Sequence, residues 1–153
     1  MEKTLVILKP CTIQRGLIGE IISRFERKGL QLAGMKMIWL TDKILSEHYA
    51  HLKEKPFFQR IKDAMSVCPV IVCCWEGVAA IHVVRQLAGA TNGRNAQPGT
   101  IRGDFSMSVQ ENIVHASDSP ETAAIELKRF FNDDELFDYK MNNLLVIYAN
   151  DEF

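Results

Sequence analysis

The run TLVIL at Thr4–Leu8, closed by Lys9-Pro10, decides the fold. Its residues are almost wholly apolar and do not alternate, which describes a central strand buried on both faces. A second run of this kind, PVIVCCW at Pro69–Trp75, predicts another buried strand. Between them, Gly16–Lys28 places Leu17, Ile18, Ile21, Ile22 and Phe25 on one face and Glu20, Arg24 and Arg27 opposite. That is an amphipathic helix, and Gly29 is suited to end it. Leu30–Leu40 alternates loosely and predicts a strand with one face solvated or in an interface. Thr41-Asp42 caps a helix reaching about Lys53, with Leu45, Tyr49 and Leu52 on its inner face. His48 and His51 are expected to be exposed on it, without a role. Lys55-Pro56 breaks this helix, and Phe57–Met65 predicts another short one.

After the third strand, Glu76-Gly77 turns into a helix over Val78–Ala88, which Gly89 stops. A polar loop from Ala90 to Glu111 follows, then a short strand at Asn112–His115. Ser119-Pro120-Glu121 reads as N-cap, proline at the first helical position and an acid in the first turn, so a helix runs from Pro120 to about Phe131. The order β-α-β-(αα)-β-α-β-α gives an α+β fold class. It predicts a ferredoxin-like four-stranded antiparallel sheet (βαββαβ) with added helices and one long loop.

The chain has 153 residues, 47% of them hydrophobic and 24% charged, which suits one domain spanning 1–153. A net charge of −1 argues against a dedicated nucleic-acid binder and leaves room for a local basic pocket. The four cysteines form no C-x-x-C pair and no zinc spacing, which predicts free thiols in a reducing compartment. No leader pattern and no span-length apolar run is read, so a cytoplasmic protein without a membrane partner is expected.

The chemistry concentrates in TIRGDFSMSVQENIVHASDS, Thr100–Ser119. A lone histidine is more often a packed or surface residue than a catalyst. Here His115 ends a short apolar step just before a helix N-terminus, where free N–H groups favour anions. Long polar loops of the kind preceding it usually carry function.

NIVHASDS at 112–119, TIRGDF at 100–105, LKP at 8–10 and HYAHLKEKPFF at 48–58 resemble the nucleoside diphosphate kinase family, nearly continuously from Thr4 to Tyr139. The resemblance implies that His115 takes the γ-phosphoryl group from a nucleoside triphosphate, typically ATP, and hands it to a diphosphate. It implies that Glu126 orients the imidazole through the other ring nitrogen, with Ser117 supporting the pair. Lys9 and Tyr49 would contact the phosphoryl group, and Lys9 and Asn112 the ribose hydroxyls. Arg85, Thr91 and Arg102 would bind phosphates, making the long loop a phosphate-site loop. Phe57 would stack on the base, with Ile61 and Val109 lining an apolar slot. Mg²⁺ would arrive on the nucleotide, with Asp118 holding the site together or assisting the metal; no resident metal site is implied. Dimers, tetramers or hexamers occur in the family; a hexamer is favoured here, a tetramer being the next choice. The apolar tail Leu144–Tyr148, within 140–153, is expected to pack on a neighbouring subunit.

The residue types suit this chemistry. Phosphoryl transfer needs in-line positioning and cations around a charge-rich transition state. A neutral imidazole is a competent nucleophile, and a covalent intermediate leads to ping-pong kinetics. Stacking tolerates any base, which predicts breadth over bases and sugars. The competing readings are a protein-directed histidine phosphocarrier and a non-catalytic binding module. Three departures from the family pattern carry expectations. Cys11 stands where Asp is usual. Ala116 stands where Gly is usual and would cost about 1 kcal/mol if the position needed positive φ. Gly93 stands where Pro is common, which predicts a looser loop.

Overall fold

A computed structural model describes Met1–Phe153. Four strands form one antiparallel sheet: β1 (Glu2–Leu8), β2 (Gln31–Ile38), β3 (Val70–Gly77) and β4 (Val114–Ala116), in the order β2-β3-β1-β4. This is the ferredoxin-like arrangement, and β1 occupies a central position in it.

Both faces of β1 are covered, which explains its unbroken apolar run. Val6 and Leu8 join Ile21 and Phe25 of α2 (Ile18–Lys28) and Ala80 and Val84 of α5 (Ala80–Ala88) in one core layer. Leu5 and Ile7 join Leu45 of α3 (Asp42–His48), Met65 of α4 (Phe58–Met65) and Phe130 of α7 (Pro120–Phe130) in the other. The two crossover helices of the βαββαβ core thus cover one face, and the added helices cover the second. Trp75 and Phe25 are the largest fully buried side chains, with ring centroids 5.3 Å apart.

Local chemistry sets the helix ends. The Thr41 hydroxyl accepts from Ile44 N–H at 3.2 Å, and the Ser119 hydroxyl from Thr122 N–H at 3.1 Å. Gly29 closes α2 in the left-handed region at φ 102°.

Several boundaries differ from the sequence expectations. Pro10–Gln14 forms a short helix, α1, with Lys9 at its N-cap and Pro10 in its first turn. The helix starting at Asp42 ends at His48 and continues only as a tight turn over Ala50–Leu52. The 90–111 loop contains a turn at Gly93–Asn95 and the helix α6 (Ile101–Phe105). Nor is that loop loose. Gly93 is buried, its N–H bonds Ser108 O at 3.1 Å, and an added Cβ would lie 2.3 Å from Ser106 O. Glycine is there because backbone passes backbone at contact distance, and proline would lack the N–H.

Ala116 needs no positive φ. The left-handed non-glycine residues are Ala79, at φ 51°, and Ile113, at φ 72°. Ile113 is β-branched and fully buried, so its conformation is imposed by packing. Its carbonyl receives the Thr12 hydroxyl at 2.5 Å and Lys9 N–H at 3.0 Å.

The tail docks on its own chain. Leu144 of α8 (Leu144–Ile147) is buried, Ile147 lies over Gly29, and the Tyr148 hydroxyl accepts from Val78 N–H at 3.2 Å. Its other side, Leu145 and Val146, is exposed. Replacing Leu144 by Ala is expected to destabilise the fold by about 2 kcal/mol, read as a lower melting temperature. Gly93→Ala is expected to cost about 1–3 kcal/mol through the clash with Ser106.

Candidate active site

Strand alternation aims His115. It pairs with Ile7 in the β1–β4 ladder, so it lies on the face of Ile7, the side of the added helices. Its neighbours Val114 and Ala116 pack into the opposite layer. On its own side His115 meets Glu126 of α7. The His115 Nε2 lies 2.9 and 3.0 Å from the two carboxylate oxygens, and the buried Ser117 hydroxyl donates to Oε2 at 2.6 Å.

Burial alone would raise the Glu126 carboxyl. The hydrogen bond and electrostatic attraction of His115, together with the Ser117 hydrogen bond, outweigh that and hold it below the usual carboxylate range. An ionised Glu126 accepts, so Nε2 carries the hydrogen. Nδ1, which no protein group bonds, keeps its lone pair toward the cavity.

That cavity holds about 590 Å³ and is lined by His115, Glu126, Lys9, Tyr49, Arg85, Thr91, Arg102 and Asn112, among others. A second compartment of about 310 Å³ adjoins it, sharing Lys9, Tyr49, Thr91 and Asn112 and adding Phe57, Ile61 and Val109. The sequence-predicted residues are therefore brought together, polar ones around His115 and apolar ones in the adjoining slot. Ser117 is placed behind Glu126 and not in the cavity wall.

Each cation is held differently. Lys9 Nζ donates to Asn112 Oδ1 at 2.6 Å and Gln110 O at 3.1 Å. Burial, then the charge of Arg102, lower its pKa to about 8. Arg102 donates to three carbonyls, Gly89 O and Val114 O at 2.8 Å and Asn112 O at 3.1 Å. It is thus a backbone clamp as well as a cation, with two N–H groups left for a ligand. Arg85 is exposed and its guanidinium makes no hydrogen bond within the chain. Asn112 Nδ2 donates to Thr91 O at 2.9 Å, fixing its amide between Lys9 and the loop. The Tyr49 phenol is pushed well up by burial and by Glu126, so its hydroxyl remains a donor.

The expectation for His48 is wrong. It is buried rather than exposed and lines the cavity beside His115. His48 follows Leu45 by three residues and precedes Leu52 by four, so helical spacing places it on the inner face; its polar residue type, not its position, spoke for exposure. Arg129 also lines the cavity and went unread; its spacing of three from Glu126 was the available signal. His51 is exposed as expected, although it reaches the cavity rim. Cys11 is absent from the cavity wall, packs toward the first core layer, and has its thiol pushed up by burial.

A four-stranded sheet carrying a histidine–carboxylate pair, a cationic cavity and an apolar slot defines a nucleotide-directed phosphotransferase. The chain matches the nucleoside diphosphate kinase family over residues 2–136. It is 87% identical to the nucleoside diphosphate kinase of Parabacteroides distasonis over all 153 residues of both chains. It is 55% identical to that of Pyrococcus abyssi over 141 residues, 90% of this chain and 89% of that one. Among solved structures, a Halobacterium salinarum nucleoside diphosphate kinase in complex with CDP superposes with a TM-score of 0.94. That structure is 41% identical and the match covers 96% of this chain and 98% of that one. The chain belongs to the nucleoside diphosphate kinase family and is a phosphotransferase with a nucleoside triphosphate as phosphoryl donor.

The depressed Lys9 pKa makes a stability prediction. Between about 8 and the ordinary 10.5, the unfolded chain binds the Lys9 proton more than the folded chain does. Stability from this group therefore rises with pH across that window, and the cost of holding it charged is fully present below about 8. Lys9→Met is expected to melt higher than wild type at pH 7, the gap closing as pH rises through the window. Arg102→Lys, losing the planar three-carbonyl clamp, is expected to lose about 2 kcal/mol in denaturant titration.

Proposed function

We propose that His115 carries the phosphoryl group. The supporting observation is the His115 Nε2–Glu126 pair, which leaves Nδ1 as the nucleophile facing the cations. The Nδ1 lone pair attacks the γ-phosphorus, an N–P bond forms, and the bond to the bridging oxygen breaks. The nucleoside diphosphate leaves with that electron pair. Glu126 stabilises the positive charge gained by the ring, with Ser117 holding the carboxylate in place. In the second half-reaction a terminal oxygen of another diphosphate attacks phosphorus, and the N–P electron pair returns to Nδ1. Two chemically similar halves give ping-pong kinetics.

Lys9, Arg85 and Arg102 gather the phosphate charge, and Thr91 contributes a hydroxyl. Tyr49 donates toward the transferred group. Lys9 and Asn112 face the ribose hydroxyls. Phe57 stacks on the base over Ile61 and Val109. The cavity wall is rich in cations and has Asp118 as an exposed carboxylate. This suits Mg²⁺ held mainly by the nucleotide's own oxygens, with Asp118 as the protein's contribution. Bound there, Mg²⁺ neutralises phosphate charge. Stacking on Phe57 uses the π-face that every base has, which supports breadth over bases, although Arg60 and Glu111 also line the slot; the Halobacterium salinarum relative is described with CDP.

The chain is proposed to act as one domain, 1–153, in the cytoplasm. No helix is long and apolar enough to cross a membrane. Exposed Met35 and Met37 on β2 and Trp39 just after it, with Leu145 and Val146 on the tail, support self-association, for which a hexamer is the proposed size.

Incubation with Mg²⁺ and γ-labelled ATP, followed by removal of nucleotide, is expected to leave acid-labile phosphate on His115. GDP or dCDP added alone is expected to remove it as labelled triphosphate. Label that no diphosphate removes would instead mean a protein phosphocarrier, and no label a binding module. Glu126→Gln is expected to lower kcat on the order of a hundredfold with little change in KM.

A further inference from the structure

His48 is buried against the reacting histidine, and the chemistry above gives it no part. It ends α3 with its ring centroid 4.5 Å from that of His115, edge-on at 79°. Tyr49 and Phe130 close its other sides at 4.8 and 5.3 Å. Its Nδ1 lies 3.2 Å from Arg129 NH1 and 3.6 Å from Glu126 Oε1, while its Nε2 is buried without a partner. An arginine only donates, so Nδ1 accepts and the hydrogen stays on Nε2. Burial, then the neighbouring His115, lower the His48 pKa to about 3, so the ring is neutral at any working pH.

A buried polar ring with an orphaned nitrogen is costly, and an apolar ring would fill the same space without that cost. Arg129 supplies the reason for keeping it. It follows Glu126 by three residues on α7, the spacing at which side chains on one helix meet. Without His48 its nearest other acceptor is the half-exposed Glu47 carboxylate at 4.0 Å, and the buried Glu126 carboxylate would compete for the guanidinium, since charged forks on carboxylates are among the strongest hydrogen bonds. Glu126 would then be turned away from His115. His48 stands between them and engages the guanidinium, whose only carboxylate contact is at 4.0 Å, to Glu47. The donor atoms of His48, His115 and Glu126 lie within 4.8 Å of one another, yet the cluster is ill suited to a cation. The guanidinium is already bonded to one of the three, and the Ser117 hydroxyl to another.

We propose that His48 is a positioning residue: by accepting the Arg129 hydrogen bond and packing edge-on against His115, it reserves the Glu126 carboxylate for His115. It touches no substrate and acts through its neighbours. The inference rests on His115 being the phosphoryl carrier.

The test is a double-mutant cycle on the rate of phosphohistidine formation in single turnovers. His48→Phe keeps the ring and removes the acceptor. It is expected to slow His115 phosphorylation roughly tenfold with the KM for ATP unchanged, as loss of orientation does. In an Arg129→Met background the same change is expected to cost under about twofold, because the competitor is gone. No slowing by His48→Phe, or equal slowing in both backgrounds, would overturn the proposal. Should His48→Phe not fold, His48→Asn and His48→Gln replace it. Asn places an acceptor where Nδ1 was and Gln does not, so Asn faster than Gln supports the proposal and equal rates refute it. Wild-type protein that never forms phosphohistidine would remove the reading beneath, which is a separate failure.

Discussion

The buried carboxylate of Glu126 is the constraint on which the site depends. A carboxylate taken from water is tolerated only where donors meet it. Here His115 Nε2 and the Ser117 hydroxyl are both within 3.0 Å of it. The three residues come from β4, the turn after it and α7, so the strand and the helix are tied together at one point. The Ser119 cap fixes where α7 begins, and that start sets which face of the helix carries Glu126. A change of one residue in the turn would rotate the carboxylate away from the sheet by most of a third of a turn.

The two-layered cover of the sheet explains why that pair lies where it does. A bare βαββαβ unit has helices on one face. Here the helices between β2 and β3, and the one after β4, cover the second face and enclose Leu5 and Ile7. His115 shares a face with Ile7. It is therefore the added helices that supply Tyr49, His48, Glu126 and Arg129, while the crossover α5 supplies Arg85. The extra elements both complete the core and build one wall of the cavity.

Much of this was legible in the sequence. The unbroken runs at Thr4–Leu8 and Pro69–Trp75 gave central strands, because two-sided burial removes alternation. Ser119-Pro120 gave the start of α7, because capping is local chemistry. The gathering of Lys9, Arg85, Arg102 and Asn112 around His115 came from family resemblance; no periodicity joins residues so far apart in the chain. What stayed hidden depended on tertiary packing. His48 shares the inward stripe of its helix with Leu45 and Leu52, and only its polar residue type spoke for exposure; that the ring is buried beside His115 is a product of tertiary packing. Ile113 is forced to positive φ by burial on one side and by two hydrogen bonds to its carbonyl. The closeness of Gly93 to Ser106 joins residues whose proximity only the folded loop creates.

Lys9 and Arg102 hold the loop by hydrogen bonds and also line the cavity, and this links folding to the proposed function. Arg102 gathers three carbonyls, from the end of α5, from the segment before β4 and from β4 itself, so the guanidinium ties the loop to its surroundings. Burial first, and then the charge of Arg102 on Lys9 and of Arg85 on Arg102, lower the former to about 8 and the latter to about 10. Without a ligand these groups repel one another in a partly dried cavity. A polyphosphate bound between them, as proposed, would reverse the sign of the interaction, so that part of its attraction would be relief of a repulsion already present in the fold. The core supplies the stability that tolerates this: β1 is packed on both faces, and Lys9 follows directly from its end. A strand packed on both faces thus leads directly into a cation that burial disfavours.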